Sequence, residues 1–360
     1  MSTTALNDLS RFPIVQAPMA GGGSSPELVG AVCEAGALGF LAGGYKTAGG
    51  MYQEIKQVRA LTSRPFGVNL FLPQSGRPAD PAAVEVYRHQ LAGEATWYDT
   101  PLGETDDSRD DGYDGKLAIL LEDPVPVVSF TFGCPTPEAL AAFARAGTYT
   151  IVTVTSAEEA LAAQLAGADA VCVQGTEAGG HQGTFRDEPA DDDAPGTGLL
   201  TLLTQVRESV ALPILATGGI MRGAQIAAVL AAGADAAQLG TAFLCCPESG
   251  AHPLHKRALT DPLFTRTAFT RAFTGRPARG LVNRFLREHG PYAPAAYPEI
   301  HHLTAPLRKA AAAAGDAQGM ALWAGQGHRL ARELPAGRLV EVLAAELDTA
   351  LSGQAHRSAS

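Results

Sequence analysis

The chain has 360 residues, of which 46% are hydrophobic and 18% charged, enough apolar material for one large α/β domain with an added lobe. Its formal net charge of -10 argues against a nucleic-acid or anionic-membrane surface. No uncharged run reaches the roughly 18–20 apolar residues of a membrane span, and the N-terminus lacks a signal-peptide pattern, so a soluble, cytoplasmic protein is expected.

Ile14-Val15-Gln16-Ala17-Pro18-Met19 is a short apolar run ended by Ala20-Gly21-Gly22-Gly23. Ser25-Pro26 then has the form of an N-cap followed by a first-turn proline. Leu28, Val29, Val32 and Cys33 supply an apolar face, Gly36 stops the helix, and Leu38–Ala42 is the next strand. The same helix-stop-strand joint recurs at Ala146-Gly147-Thr148, Ala166-Gly167-Ala168 and Ala232-Gly233-Ala234. Thr136-Pro137 repeats the cap-plus-proline pattern, and Ser156 with Glu159 has capping-box spacing.

Eight strands are predicted, at about 14–19, 38–43, 66–72, 125–132, 149–155, 170–174, 213–217 and 236–244. Most are continuous apolar runs, as expected where both faces of a parallel sheet are covered. Their spacing is that of a β-α repeat, and eight repeats favour a (β/α)8 TIM barrel over an open doubly wound sheet. The division expected is a barrel core over 1–247 with an inserted segment at about 73–124, a mainly helical C-terminal lobe over 248–351, and a tail over 352–360. The acidic stretches 104–111 and 186–196 are expected to be solvated surface loops.

Barrel enzymes build their sites at the carboxyl ends of the strands. Met19, Asn69, Gln174 and the Gly179-Gly180-His181 turn lie there, as do Gly218-Gly219 and Gln238-Leu239-Gly240-Thr241. Glycine turns after the seventh and eighth strands offer backbone N–H groups to a phosphate. Neutral amides at Asn69, Gln174 and Gln238 both donate and accept, which suits the edge of a flavin in FMN. No compact GxGxxG fingerprint is present.

His181, flanked by glycines, is the candidate base, its ordinary pKa being about 6.5. His301 and His302 are weaker candidates, and His89, His252, His255, His289, His328 and His356 have no supporting context. The sequence contains neither HExxH nor GxSxG, and no metal site is expected. Cys33, Cys134, Cys172, Cys245 and Cys246 form no CxxC pair, so reduced, buried thiols are expected.

Four segments carry a family resemblance: Gln16–Gly22, Phe40–Lys46, Gly67–Phe71 and Gly175–Gly183. Ala216–Gly219, Gln238–Thr241 and Leu322–Gly327 add to it, so that it spans roughly 12–330. Together they resemble the nitronate monooxygenases, formerly 2-nitropropane dioxygenases, of class I. The resemblance implies a barrel with FMN at its mouth. It implies oxidation by O2 of alkyl nitronates such as propionate 3-nitronate, and of neutral nitroalkanes, to carbonyl compounds with nitrite or nitrate. It makes His181 the base that takes the α-proton of a neutral nitroalkane. It puts Asn69, Gln174, Gly179, Gly219 and Gln238 through Thr241 on the flavin, with Met19, Gly180 and Gly218 beside them. Gln182 stands where arginine is common, and 104–111 is an insertion. The competing readings are an FMN-dependent enoyl-acyl-carrier-protein reductase using NAD(P)H and a non-catalytic flavin-binding protein. A monomer or homodimer is expected, with small-molecule partners.

Overall fold

The computed structural model describes residues 6–73, 79–105, 110–187 and 196–358. Eight parallel strands close into a barrel. In chain order they are β1 (Ile14–Gln16), β2 (Leu38–Ala42), β3 (Gly67–Phe71), β4 (Val127–Thr131), β5 (Tyr149–Val154), β6 (Ala170–Gln174), β8 (Ile214–Thr217) and β9 (Ala236–Leu239). A two-residue strand, β7 (Gly180–His181), lies outside the barrel. Closure comes from β1 against β9, with Val15 opposite Gln238. The TIM barrel expected from the strand count is the fold.

Caps read from the sequence form as expected. Ser25, Thr136 and Ser156 each accept a backbone N–H at the start of α1 (Pro26–Glu34), α6 (Pro137–Ala146) and α7 (Ala157–Ala166). Gly36, Gly147, Gly167 and Gly233 all take positive φ, which is why the four stop joints use glycine. The other helices are α2 (Ala48–Leu61), α3 (Pro81–Gln90), α4 (Ala92–Trp97), α5 (Tyr113–Glu122), α8 (Leu199–Ser209), α9 (Gly223–Ala231), α10 (Thr241–Leu244), α11 (Pro253–Thr260), α12 (Arg284–His289), α13 (Glu299–Ala313) and α14 (Ala336–Ser358). Among the described residues no helix is long and apolar enough to cross a membrane.

Alternation along the strands divides the barrel interior into two zones. Its lower layers hold Val15, Leu38, Phe40, Val127, Tyr149, Ile151, Ala170, Cys172, Leu215 and Ala236 in one apolar cluster. Gly67 leaves room for the Phe40 ring, to which a Cβ would come within 2.2 Å. Two residues further on, β3 continues with Asn69, β4 with Ser129 then Thr131, β5 with Thr153, β6 with Gln174, β8 with Thr217 and β9 with Gln238. The barrel is therefore apolar below and polar, but uncharged, at its mouth.

Three expectations are corrected. The first strand stops at Gln16 rather than 19, because Pro18 has no N–H for a ladder. The last stops at Leu239 rather than 244, and the buried run Ala242–Leu244 is helical. A short apolar run does not reveal its period. The 248–351 region is not helices and loops alone: β10 (Thr267–Thr270) and β11 (Ala278–Leu281) form an antiparallel hairpin, and β7 adds a third strand.

Packing also crosses the expected boundaries. Val84, Tyr87 and Leu91 of the insertion share an apolar cluster with Phe273, Phe285, Ile300, Leu303 and Leu307 of the lobe. Glu94 of α4 joins Arg284 and His289 of α12. Burial raises the Glu94 carboxyl, but the hydrogen bonds from Arg284 and His289 outweigh it and bring the pKa to about 2. α14, expected in the lobe, packs on α9 and α1 against the barrel core and runs into the segment expected to be a tail. Residues 106–109 and 188–195 of the acidic stretches lie outside the described residues.

The lobe meets the barrel through backbone. Arg279 and Ala278 pair with Gly180 and His181. On the other side, Gln326 N donates to Glu177 O at 2.9 Å. A Cβ on Gly179 would lie 2.4 Å from Gly325 N, and one on Gly325 2.8 Å from Glu177 O. Gly179→Ala is therefore expected to destabilise the protein by about 1–3 kcal/mol, the usual range for overpacking. Denaturant unfolding checks this, with Gly93→Ala on the open α4 surface as the control that should change little.

Candidate active site at the barrel mouth

A cavity of about 390 Å³ opens at the carboxyl ends of the strands, within the usual range for a small-molecule site. Every site residue expected from the sequence borders it. Met19 comes from the loop after β1, Asn69 from β3, and Gln174, Gly179, Gly180 and His181 from β6 and its loop. Gly218 and Gly219 follow β8, Gln238 and Leu239 end β9, and Gly240 and Thr241 follow it at the start of α10. Thr131 and Thr153 also border it and were missed, and so does Thr217, which lies in the Ala216–Gly219 segment of the resemblance but was given no role. The available signal was the period of two, which puts each at the last inward position of its strand. Tyr45, Trp323 and Arg308 were missed as well. They reach the cavity from distant segments; Tyr45 and Trp323 stand in segments of the resemblance but were given no role, and no local pattern marks Arg308.

The three amides do different work. Asn69 Nδ2 donates to Ser129 Oγ and Thr131 Oγ1, both at 3.0 Å, and the residue borders the cavity. Gln238 Nε2 lies 3.3 Å from Cys172 Sγ. Gln174 is committed to the adjoining turn: Nε2 donates to His181 O at 3.0 Å, and Oε1 accepts from Gly183 N at 2.7 Å. Its carbonyl and one N–H thus hold the histidine turn.

Gly218 and Gly219 have φ of 138° and 68°. The backbone N–H groups of Gly218, Gly219, Gly240 and Thr241 have no acceptor among the described residues. Unpaired donors at a cavity wall call for an anion or water. Glu177, nearby, is already satisfied, both its oxygens accepting from Leu199 N at 3.0 Å.

His181 stands above the amides. Its Nε2 is 2.9 Å from Thr274 Oγ1, and Thr274 also bonds Arg276 O. Phe132, Tyr297 and Trp323 surround the ring with centroid separations of 5.7, 5.8 and 5.6 Å. A histidine edge and open N–H donors thus border one cavity, at the strand ends where the resemblance puts a flavin site.

Comparison with known proteins agrees. The nitronate monooxygenase family model matches residues 3–346. The chain belongs to the nitronate monooxygenase family.

A nitronate monooxygenase of Paraburkholderia phytofirmans is 42% identical over 341 residues, covering 93% of this chain and 92% of the relative. The crystal structure of nitroalkane oxidase from Streptomyces ansochromogenes is 73% identical, with a TM-score of 0.95, covering 98% of this chain and all of that one. FabK from Thermotoga maritima is further off, at 28% identity and a TM-score of 0.74, each chain 98% covered. This nitronate monooxygenase family member is thus a flavin-type oxidoreductase.

The family member's histidines differ in surroundings more than in sequence. Burial, then the guanidiniums of Arg276 and Arg308, push the His181 pKa down to about 3, so its ring is neutral at pH 7. His301 borders the cavity, stacked on Tyr45 at 4.1 Å and 6°, and burial with Arg308 pushes it down to about 2. His302 is not part of the wall. His255, which had no sequence context, does line the cavity, with Nε2 2.9 Å from Trp323 O, and burial pushes it down to about 4. His252 lines it too and caps α11. His89, His289 and His328 pair elsewhere, with Glu85, Glu94 and Phe264 O.

Gln182 is bound through its backbone, its N–H to Pro277 O at 2.9 Å and its carbonyl to Arg276, and its side chain lies outside the cavity wall. Cys172, Cys245 and Cys246 are buried with pKa values raised to about 12, 11 and 12, chiefly by burial, so none is a thiolate at neutral pH.

A base must be unprotonated to act, and a lowered pKa keeps His181 in that form as pH falls. For a neutral nitroalkane, kcat/KM is therefore expected to stay level from about pH 7 to about pH 5, where an ordinary imidazole base would lose activity below its pKa of about 6.5. A pH–rate profile with an acid limb near that value would contradict this environment for His181.

Proposed function

We propose that the enzyme uses FMN and O2 to oxidise alkyl nitronates, propionate 3-nitronate among them, and neutral nitroalkanes, giving carbonyl compounds with nitrite or nitrate. The observation that carries the reading is the pairing of a neutral, Thr274-tethered His181 with unpaired N–H donors across one cavity. The 73% identity to a nitroalkane oxidase supports extending the substrates to neutral nitroalkanes.

The residues suit FMN. The N–H groups of Gly218, Gly219, Gly240 and Thr241 would hold its phosphate without a charged side chain. Asn69 and Gln238 would meet the ring edge, with Met19, Leu239, Gly179 and Gly180 as the wall against it. When bound, FMN supplies the electron acceptor for the substrate and the donor to O2. The chain's own part is positioning and one proton. His181 takes the α-proton from a neutral nitroalkane, and Thr274 fixes the plane of the ring. Gln174 sets the height of that ring by holding His181 O and Gly183 N. Phe132, Tyr297 and Trp323 exclude water around it.

A nitronate is already deprotonated and has no need of the base. His181→Asn is expected to lower turnover of neutral nitroalkanes by about 10²–10⁴-fold, the usual worth of a general base, with nitronate oxidation retained. O2 uptake by the purified yellow protein checks both substrates; equal loss on the two would remove the role of His181. The enoyl reductase reading makes a different prediction, rapid anaerobic bleaching of the flavin by NADH.

A further inference from the structure

Outside its backbone donors, the cavity wall has very little charge. Among the described residues no aspartate, glutamate or lysine borders it, and Arg308 is its one guanidinium. Arg276, the other arginine that acts on His181, is fully buried, stands 4.1 Å over the Phe132 ring and binds the carbonyls of Gln182 and Thr184. Arg308 projects from α13, where Nε donates to Thr304 Oγ1 at 3.2 Å and one terminal nitrogen donates to His301 O at 2.9 Å. Thr304 in turn donates to Phe273 O at 2.6 Å, so the anchor of Arg308 is itself held. No carboxylate pairs with Arg308 among the described residues, and its other terminal nitrogen has no protein acceptor. A mostly buried cation without a counter-ion is costly unless a ligand provides the charge.

The positions on the wall separate this cation from the phosphate donors. Arg308 neighbours His301, which stacks on Tyr45 in the loop after β2, and Tyr45 bonds Tyr297 beside His181. The open N–H groups belong instead to the loops after β8 and β9. A nitronate spreads one negative charge over the two oxygens of a planar nitro group. That is the shape of a carboxylate, which a guanidinium fork binds well. A neutral nitroalkane has the same oxygens but no net charge. His181, neutral in its setting, offers no cation of its own.

Resting on the proposed function, we propose that Arg308 is the substrate-binding residue that holds the nitro oxygens of the nitronate and makes the enzyme prefer the anion over the neutral nitroalkane. His181 acts on the carbon and Arg308 on the oxygens, so the two substrates share one position but draw on different residues.

The test compares wild type, Arg308→Met and Arg308→Lys as flavin-loaded enzymes, on a nitronate and its parent nitroalkane. Inorganic nitrite serves as a non-reacting anion, with its binding followed by quenching of Trp323, which lines the cavity. Arg308→Met is expected to raise KM for the nitronate by about 10–100-fold, the range for a lost charge-assisted hydrogen bond. The KM for the nitroalkane should change by less than about 3-fold, and nitrite binding should weaken in parallel with the nitronate. Arg308→Lys, with the charge but not the fork, should fall between. Equal rises in KM for both substrates, or unchanged nitrite binding, would overturn the proposal, as either would mean a merely structural arginine. A fall in flavin content of Arg308→Met would overturn it in favour of a cofactor contact. Should that variant fail to fold, the Arg308→Lys series decides by the same ratio. Should wild type oxidise no nitronate, the proposed function fails, and the nitrite titration still decides whether Arg308 binds anions there.

Discussion

The contact on which the site depends is backbone against backbone. Gly179 meets Gly325 with no side chain between them, and Gly180 and His181 are paired as the third strand of the lobe sheet. Because both flanks of the turn are backbone, its height above the barrel is set by hydrogen-bond and van der Waals distances rather than by adjustable side chains. His181 therefore inherits its place from the lobe as much as from β6. Gln174 completes the arrangement from below by bonding both ends of the same turn. The glycines are needed for closeness at 179 and 325, and for turning at 218 and 219, where φ is positive.

The barrel mouth achieves polarity without charge. Its threonines and amides sit one pleat above an apolar interior, and they bond one another where they can, as Asn69 does with Ser129 and Thr131. Such a surface can orient a neutral ring system while leaving net charge to a few chosen points. Those points are the open N–H groups on one side and Arg308 on the other. Placing two guanidiniums near His181 has an electrostatic consequence: the imidazole is kept in its basic form and loses any role as a resting cation. An anionic substrate then looks to arginine rather than to histidine.

The insertion and the lobe act as one packed unit over this mouth. Tyr87 donates to Ala272 O at 2.8 Å, and Asp111 accepts from Tyr45 N at 2.9 Å and from Lys116 at 2.6 Å. Tyr45 has φ of 64°, unusual for a residue with a side chain, and Asp111 holds it there. Part of the acidic insertion, read from the sequence as a solvated loop, thus reaches a residue of the cavity wall.

The barrel was legible in the sequence because it is built from local rules. Caps at Ser25, Thr136 and Ser156, glycine stops at 36, 147, 167 and 233, and apolar runs at a steady interval each report their own few residues. The strand-end residues followed from the same count, and all of them border the cavity. The β10–β11 hairpin, the docking of α14 on α1 and α9, and the arrival of Arg308 were not legible, and Tyr45 and Trp323 stood in matched segments without an assigned place at the mouth. Each depends on segments far apart in the chain meeting across the mouth. The protonation of His181 belongs with them. His181 and Arg308 are 127 positions apart in the chain, so no local pattern could report the field that acts on the ring. The chain alone determined which strand-end residues stand at the barrel mouth. Only the folded lobe decided how deeply they are buried and which charges they face, because burial and Coulomb interactions depend on distance in space and not on distance along the chain.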